Sequence, residues 1–131
     1  MKKLFIFLAI VSASQAFSQT ATTSISFDGE YQRREWRTKE RPLPDTDLSI
    51  KGTGGSFHQF VSKATRNNPC FGKVVPIEVS KIEGDNITFT VKLSSIMAQC
   101  ADFTTTFRYT TANGKSGLAL PNSDEVMFVK K

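Results

Sequence analysis

The chain has 131 residues, 17 basic and 12 acidic, for a formal net charge of +5, with one His and two Cys. That is enough chain for one domain with one core. The positive charge is too sparse for a nucleic-acid binder, and the His and Cys are too few for a transition-metal cluster, so neither nucleic acid nor a metal or other cofactor is expected.

Lys2 and Lys3 precede a short apolar run, Leu4 to Val11, and Ser14 and Ala16 place small residues at −3 and −1 of a cleavage point. This is the pattern of a secretory signal peptide over 1–16, with an alternative cleavage after Ser18. The apolar run is too short to span a membrane. The remainder, 17–131, is expected to be a single β-rich domain, secreted or periplasmic, monomeric, with no transmembrane segment. Loss of Lys2 and Lys3 lowers its net charge to +3. In an oxidising compartment the isolated pair Cys70 and Cys100 reads as a disulfide. A redox pair would use C-x-x-C spacing.

Ile25 and Phe27 suggest a first strand, with Gly29 as a bend or bulge before Tyr31. The stretch from Glu30 to Pro42, EYQRREWRTKERP, sets five bases (Arg33, Arg34, Arg37, Lys39 and Arg41) around the only tryptophan, Trp36. As one strand it puts Tyr31, Arg33, Glu35 and Arg37 on one side and Gln32, Arg34 and Trp36 on the other. Glu30, Glu35 and Glu40 reduce its local charge to +2. One reading is a charged edge strand that resists pairing with another chain. The other is a binding patch of Tyr31, Arg33, Arg34, Trp36 and Arg37, facing a protein or an anionic glycan or envelope polymer. That patch would need a bulge between Gly29 and Arg34 to bring Tyr31 and Trp36 to one side. RPLPDTD is a loop, and DLSI contributes Leu48 and Ile50 to a strand.

In SFHQFVSKATRNNP, Phe57, Phe60, Val61 and Ala64 recur at helical spacing. Ser56 and Gln59 form an S-x-x-Q capping box, and Asn67, Asn68 and Pro69 supply a stop. The spacing predicts a short helix near 57–66, entered through the glycine-rich turn KGTGG. A short strand from Phe57 to Val61 is the alternative.

From Val74 onward the period is two. VVPIEVSKI places Val75, Ile77 and Val79 on one face, with Pro76 pointing to an edge or a bulge. Gly84-Asp85 suits a two-residue hairpin turn before NITFTVKL, whose Ile87, Phe89, Val91 and Leu93 share a face. FTTTFRYT turns Phe103, Thr105, Phe107 and Tyr109 inward. Asn113-Gly114 is the strongest hairpin signal of the chain. SGLAL follows with Leu118 and Leu120, and EVMFV closes with Val126 and Phe128 on one face. The expected fold is mainly β: a small antiparallel barrel or sandwich, with a C-terminal five-strand meander and one short helix near 57–66. An α+β arrangement is the alternative.

No catalytic constellation stands out. His58 lies near Ser56, but no G-x-S-x-G surrounds the serine. Asp45, Asp47, Asp124 and Glu125 sit in turn-forming contexts. The sequence therefore points to a non-catalytic binding or inhibitor module, with a small envelope-associated hydrolase using carboxylates, or a structural or assembly subunit, as alternatives.

Overall fold

A computed structural model describes residues 25–131; the expected signal peptide lies outside the described residues. Eight antiparallel strands follow one another around a closed barrel: β1 (Gly29–Arg33), β2 (Thr46–Lys51), β3 (Gly54–Gln59), β4 (Val74–Glu83), β5 (Asn86–Val91), β6 (Phe103–Ala112), β7 (Lys115–Ala119) and β8 (Phe128–Lys130). Each strand pairs with its neighbours in sequence. The ring closes where Tyr31 and Gln32 of β1 meet Lys130 and Val129 of β8. The five-strand meander is β4 to β8.

Alternation builds the interior. Tyr31, Leu48 and Phe57 lie opposite one another across β1, β2 and β3, so their side chains face the same way, and all three are buried. Val75, Ile77, Ile87, Phe89, Val91, Phe107, Leu118 and Phe128 continue this core around the ring. Each such side chain contributes roughly 1.5–3 kcal/mol on burial. The outer face of β5 and β6 is polar, with Thr88 hydrogen-bonded to Thr106 and Thr90 to Thr104, at 2.8 and 2.7 Å.

The connections sort by length. Gly52-Thr53, Gly84-Asp85 and Asn113-Gly114 are two-residue turns at one end of the barrel. Asn113 and Gly114 have φ of 54° and 76°, the paired positive values that a tight hairpin of this twist requires. The four long connections, 34–45, 60–73, 92–102 and 120–127, all emerge at the other end, the mouth. A short 3₁₀ turn, Leu93–Ser95, lies in the third of them.

Several expectations are corrected. The helix near 57–66 is absent: Gly54–Gln59 is strand β3, and 63–67 form turns. Pairing overrides the helical spacing here. The Gly52-Thr53 turn folds β3 onto β2, and the ladder runs from Lys51 opposite Gly54 to Thr46 opposite Gln59. Gly55, at φ 144°, lets the chain pass against the Ser49 carbonyl where a Cβ would collide. A helix would have left edges on β2 and β4; the strand removes both. Ile25 and Phe27 precede β1 rather than forming a strand, although Phe27 is buried. Pro76 lies inside a ladder opposite Ser56, and the irregularity of β4 falls between Val79 and Lys81. Alternation fails before β8, where Met127 and Phe128 are both buried and Val126 is not.

Candidate functional site

The basic stretch divides at the end of β1. Tyr31 is fully buried, and its phenol donates to the Phe27 carbonyl at 2.7 Å. Burial, with Tyr109 and Asp28 nearby, raises the pKa of that phenol above its ordinary 10.0. Arg33 also points inward and is 8% exposed. Arg34 lies on the outside, in an ion pair of 2.7 Å with Asp47 and over the ring of Phe60. The strand ends there: Glu35 takes φ 51°, and its N–H is held by the Asp45 carboxylate at 2.9 Å. Trp36 is half-buried against the core, and Arg37 bridges to Pro42 across a small excursion closed by Thr38 and Arg41.

Tyr31 faces the interior, whereas Trp36, past the end of β1 and the left-handed Glu35, is no longer placed by strand alternation. The edge reading is corrected, because β1 pairs on both sides. A charged strand with no clean apolar face looks like an edge, but barrel closure leaves none. Gln32, Arg34 and Trp36 instead line an outer groove of about 450 Å³, with Lys115, Glu125 and Val129 across from them.

The larger concavity is the mouth, a cavity of about 980 Å³ reached between the long connections. Phe57, Phe107, Met127 and Phe128 form its inner surface, and Phe103 and Leu120, at 38% and 41% exposure, form part of its rim. Phe103 stands edge-on to Phe57 with ring centres 5.8 Å apart, and Phe107 edge-on to Phe128 at 5.5 Å. The inward face read for β6 is therefore present, with Phe103, Thr105 and Phe107 all lining the cavity.

One wall of this cavity is polar. Arg33, Thr46 and Gln59 lie opposite one another on β1, β2 and β3, the last inward rung before the mouth. The Arg33 guanidinium lies 5.0 Å from the Phe128 ring centre. Its Nη2 donates to the Pro44 carbonyl and to Thr46 Oγ1, both at 2.9 Å, and its Nε to Pro44 at 3.2 Å. Among the described residues, its Nη1 has only the Met127 sulfur, at 3.9 Å. Burial lowers the Arg33 pKa to about 10, with Asp45 acting in the opposite sense. The group is therefore still charged at neutral pH. Gln59 Oε1 is buried and has no hydrogen-bond partner among the described residues. Sequence reasoning assigned Gln59 to a helix cap. The register of β2 against β3, set by the Gly52-Thr53 turn, was the signal that would have placed it beside Arg33.

The mouth loops are tied down. Cys70 and Cys100 are disulfide-bonded and join 60–73 to 92–102. Asp102 accepts from the Ser94 N–H at 2.8 Å and lies 3.2 Å from Lys92 Nζ. Ser94 first, then Lys92, holds the Asp102 carboxyl below its ordinary 3.8. Arg108 holds 120–127 through Asp124, at 2.8 Å. Each of the two concavities contains a single carboxylate, Asp45 in the mouth and Glu125 in the outer groove. Among the described residues, no group of His, Cys, Asp or Glu is arranged to hold a metal ion, and no helix is long and apolar enough to cross a membrane. Comparison of the chain with models of known families, with curated proteins and with solved structures gives no match.

Proposed function

We propose that the chain is a secreted or periplasmic, non-catalytic binding module that takes a small, largely apolar molecule into the mouth of its barrel. The observation that carries this reading is the cavity of about 980 Å³, lined by six phenylalanines and open between the long connections. Small-molecule sites are concave, mostly apolar and furnished with few polar groups, and barrel mouths are a common place for them. The N-terminal charge and hydropathy pattern and the disulfide support an oxidising address. A cavity with one carboxylate does not favour hydrolysis by paired acids, which needs two within reach of one bond.

The reading is tested with a naphthylamine dye that fluoresces in apolar surroundings. Saturable enhancement at one dye per chain is expected. Phe103→Asp, which puts a charge on the cavity wall, should weaken it at least about tenfold, as burying an unpaired carboxylate beside an apolar ligand is costly. Trp36→Ala, in the outer groove, should leave it unchanged. Absence of saturable enhancement would remove the mouth as a binding site. Loss with Trp36→Ala alone would move the site to the outer groove.

A further inference from the structure

The polar wall of the mouth specifies more than an apolar occupant. We infer that the mouth selects a singly charged anionic amphiphile, seated with its carboxylate on Arg33 Nη1 and an adjacent N–H or O–H donor on Gln59 Oε1. This rests on the mouth being the ligand site.

Two unmet demands lie on one rung. Arg33 is more than nine-tenths buried, and its Nε and Nη2 are taken by Pro44 and Thr46. Those bonds fix the plane of the guanidinium. The Nη1 edge is left with a thioether sulfur at 3.9 Å, a weak acceptor for a cation. Two strands away, Gln59 faces the same cavity with a buried carbonyl oxygen that accepts nothing among the described residues. A buried polar atom without a partner costs stability and calls for one. The first group needs an acceptor, best an anion, and the second needs a donor. One ligand head carrying both would satisfy the rung.

Charge and shape favour the same class. The cavity also holds Arg41 and Asp45, so its lining carries a net positive charge of one. The Asp45 carboxylate is occupied with the Glu35 N–H at the end of β1. One free guanidinium edge suits one carboxylate better than a dianionic phosphate. In the ring of eight strands β2 stands across from β6, so the apolar tail of a head placed on the β1–β3 rung would extend toward Phe103, Thr105 and Phe107. A neutral or cationic head on the same tail would leave the guanidinium unpaired or repel it.

Arg33 holds the start of β2, so its removal can disturb the mouth itself. The charge is therefore varied on the ligand, and the protein is varied at Gln59. Dye displacement is measured with N-dodecanoylglycine, its methyl ester, N-dodecanoylsarcosine, which lacks the amide N–H, and dodecyltrimethylammonium. The glycine conjugate should bind about 10–100-fold tighter than its ester, the ratio expected of one charge-assisted hydrogen bond. It should bind about tenfold tighter than the sarcosine conjugate. Gln59→Leu, which removes the unpartnered oxygen without adding charge, should erase the second preference and keep the first. The ammonium compound should displace dye most weakly. Equal affinity for acid and ester, with the dye still bound and displaced, would overturn the anionic head while leaving the mouth a ligand site. A glycine-over-sarcosine preference that survives Gln59→Leu would overturn the role of Gln59. Failure of every probe, dye included, would overturn the ligand-binding reading and this inference with it.

Discussion

The two ends of the barrel are built differently. At the turn end, three connections of two residues each close the wall, and Tyr31, Phe27, Tyr109 and Lys130 pack together there. The buried phenol has its acceptor, although Asn86 Oδ1, beside the Gly84-Asp85 turn, is buried without a partner among the described residues and Ile82 is exposed. At the mouth, four connections of eight residues or more frame a cavity, Phe103 and Leu120 remain partly exposed, and two polar groups on one rung lack good partners. Identical strand pairing runs into both ends, so the difference comes from what the loops and the last inward rung contain. What sets the mouth apart is that its unmet polar groups, on Arg33 and Gln59, line a cavity where a ligand can reach them, whereas Asn86 lines neither concavity. The turn end and the barrel centre should carry the stability, and the mouth should carry selectivity at little cost in stability.

The sharpest test sets two phenylalanines of the same inward pattern against each other. Phe89 is fully buried and stacked on Phe107 with ring centres 5.8 Å apart. Phe89→Ala should cost about 3–5 kcal/mol in denaturant unfolding, through lost burial and the cavity it leaves. Phe103, at the mouth, is already 38% exposed. Phe103→Ala should cost about 1 kcal/mol yet weaken dye binding. Comparable stability losses at the two positions would break the contrast between centre and mouth.

The disulfide is the one large stabilising element expected at the mouth. Cys70 and Cys100 are 30 positions apart. On the chain-entropy account, closing that loop restricts the unfolded chain and stabilises by about 3–4 kcal/mol. Replacing both with Ala should lower stability by that amount while the barrel, whose ladders do not include either cysteine, keeps its far-ultraviolet spectrum. Loss of the β signal in the variant would mean that the mouth loops hold the barrel together, contrary to the division drawn above.

The ends also differ in how far the sequence foretold them. The meander from β4 to β8 was legible because period-two alternation and the turns Gly84-Asp85 and Asn113-Gly114 agree with each other. The disulfide followed from an isolated pair. The start of the barrel was harder. Phe57, Phe60 and Val61 satisfy a helical spacing by coincidence, since Phe57 is an inward strand residue and the other two lie in the loop beyond it. Local pattern cannot reveal that β2 and β4 each need a partner. Face counting did divide Tyr31 and Arg33 from Gln32 and Arg34, but the strand ends before Trp36. What it could not say was which side would be the interior. A five-residue strand with Glu30 and Arg33 in it and Arg34 and Glu35 directly after it gives no apolar face to mark it, and only closure against β8 makes Arg33 a cavity residue. Gln59 was hidden for the same reason, since its neighbour Arg33 lies 26 positions earlier and they meet only through Thr46.

The smallest expected effect separates the ends by their response to alkali. Tyr31→Phe removes a hydrogen bond of 2.7 Å and leaves the Phe27 carbonyl without that donor, at about 1–2 kcal/mol near neutrality. The phenol holds its proton more tightly in the folded chain than in the unfolded one, because burial opposes its ionisation. Its stabilising effect is therefore fully present below pH 10 and is lost as the pH rises further. Arg33 acts with the opposite sign. Its folded pKa of about 10 lies below the ordinary guanidinium value, so the folded chain gives up that proton first and gains relative stability as the pH rises above 10. The two slopes offset each other in the wild type, and its alkaline stability curve alone would not reveal either. The difference between wild type and Tyr31→Phe isolates the phenol, because Arg33 is present in both. That difference, from urea unfolding at a series of pH values, should be constant from neutrality to pH 9 and shrink above pH 10. A difference that stays constant at high pH would mean that the turn end admits the phenolate, and so is not the sealed counterpart of the mouth.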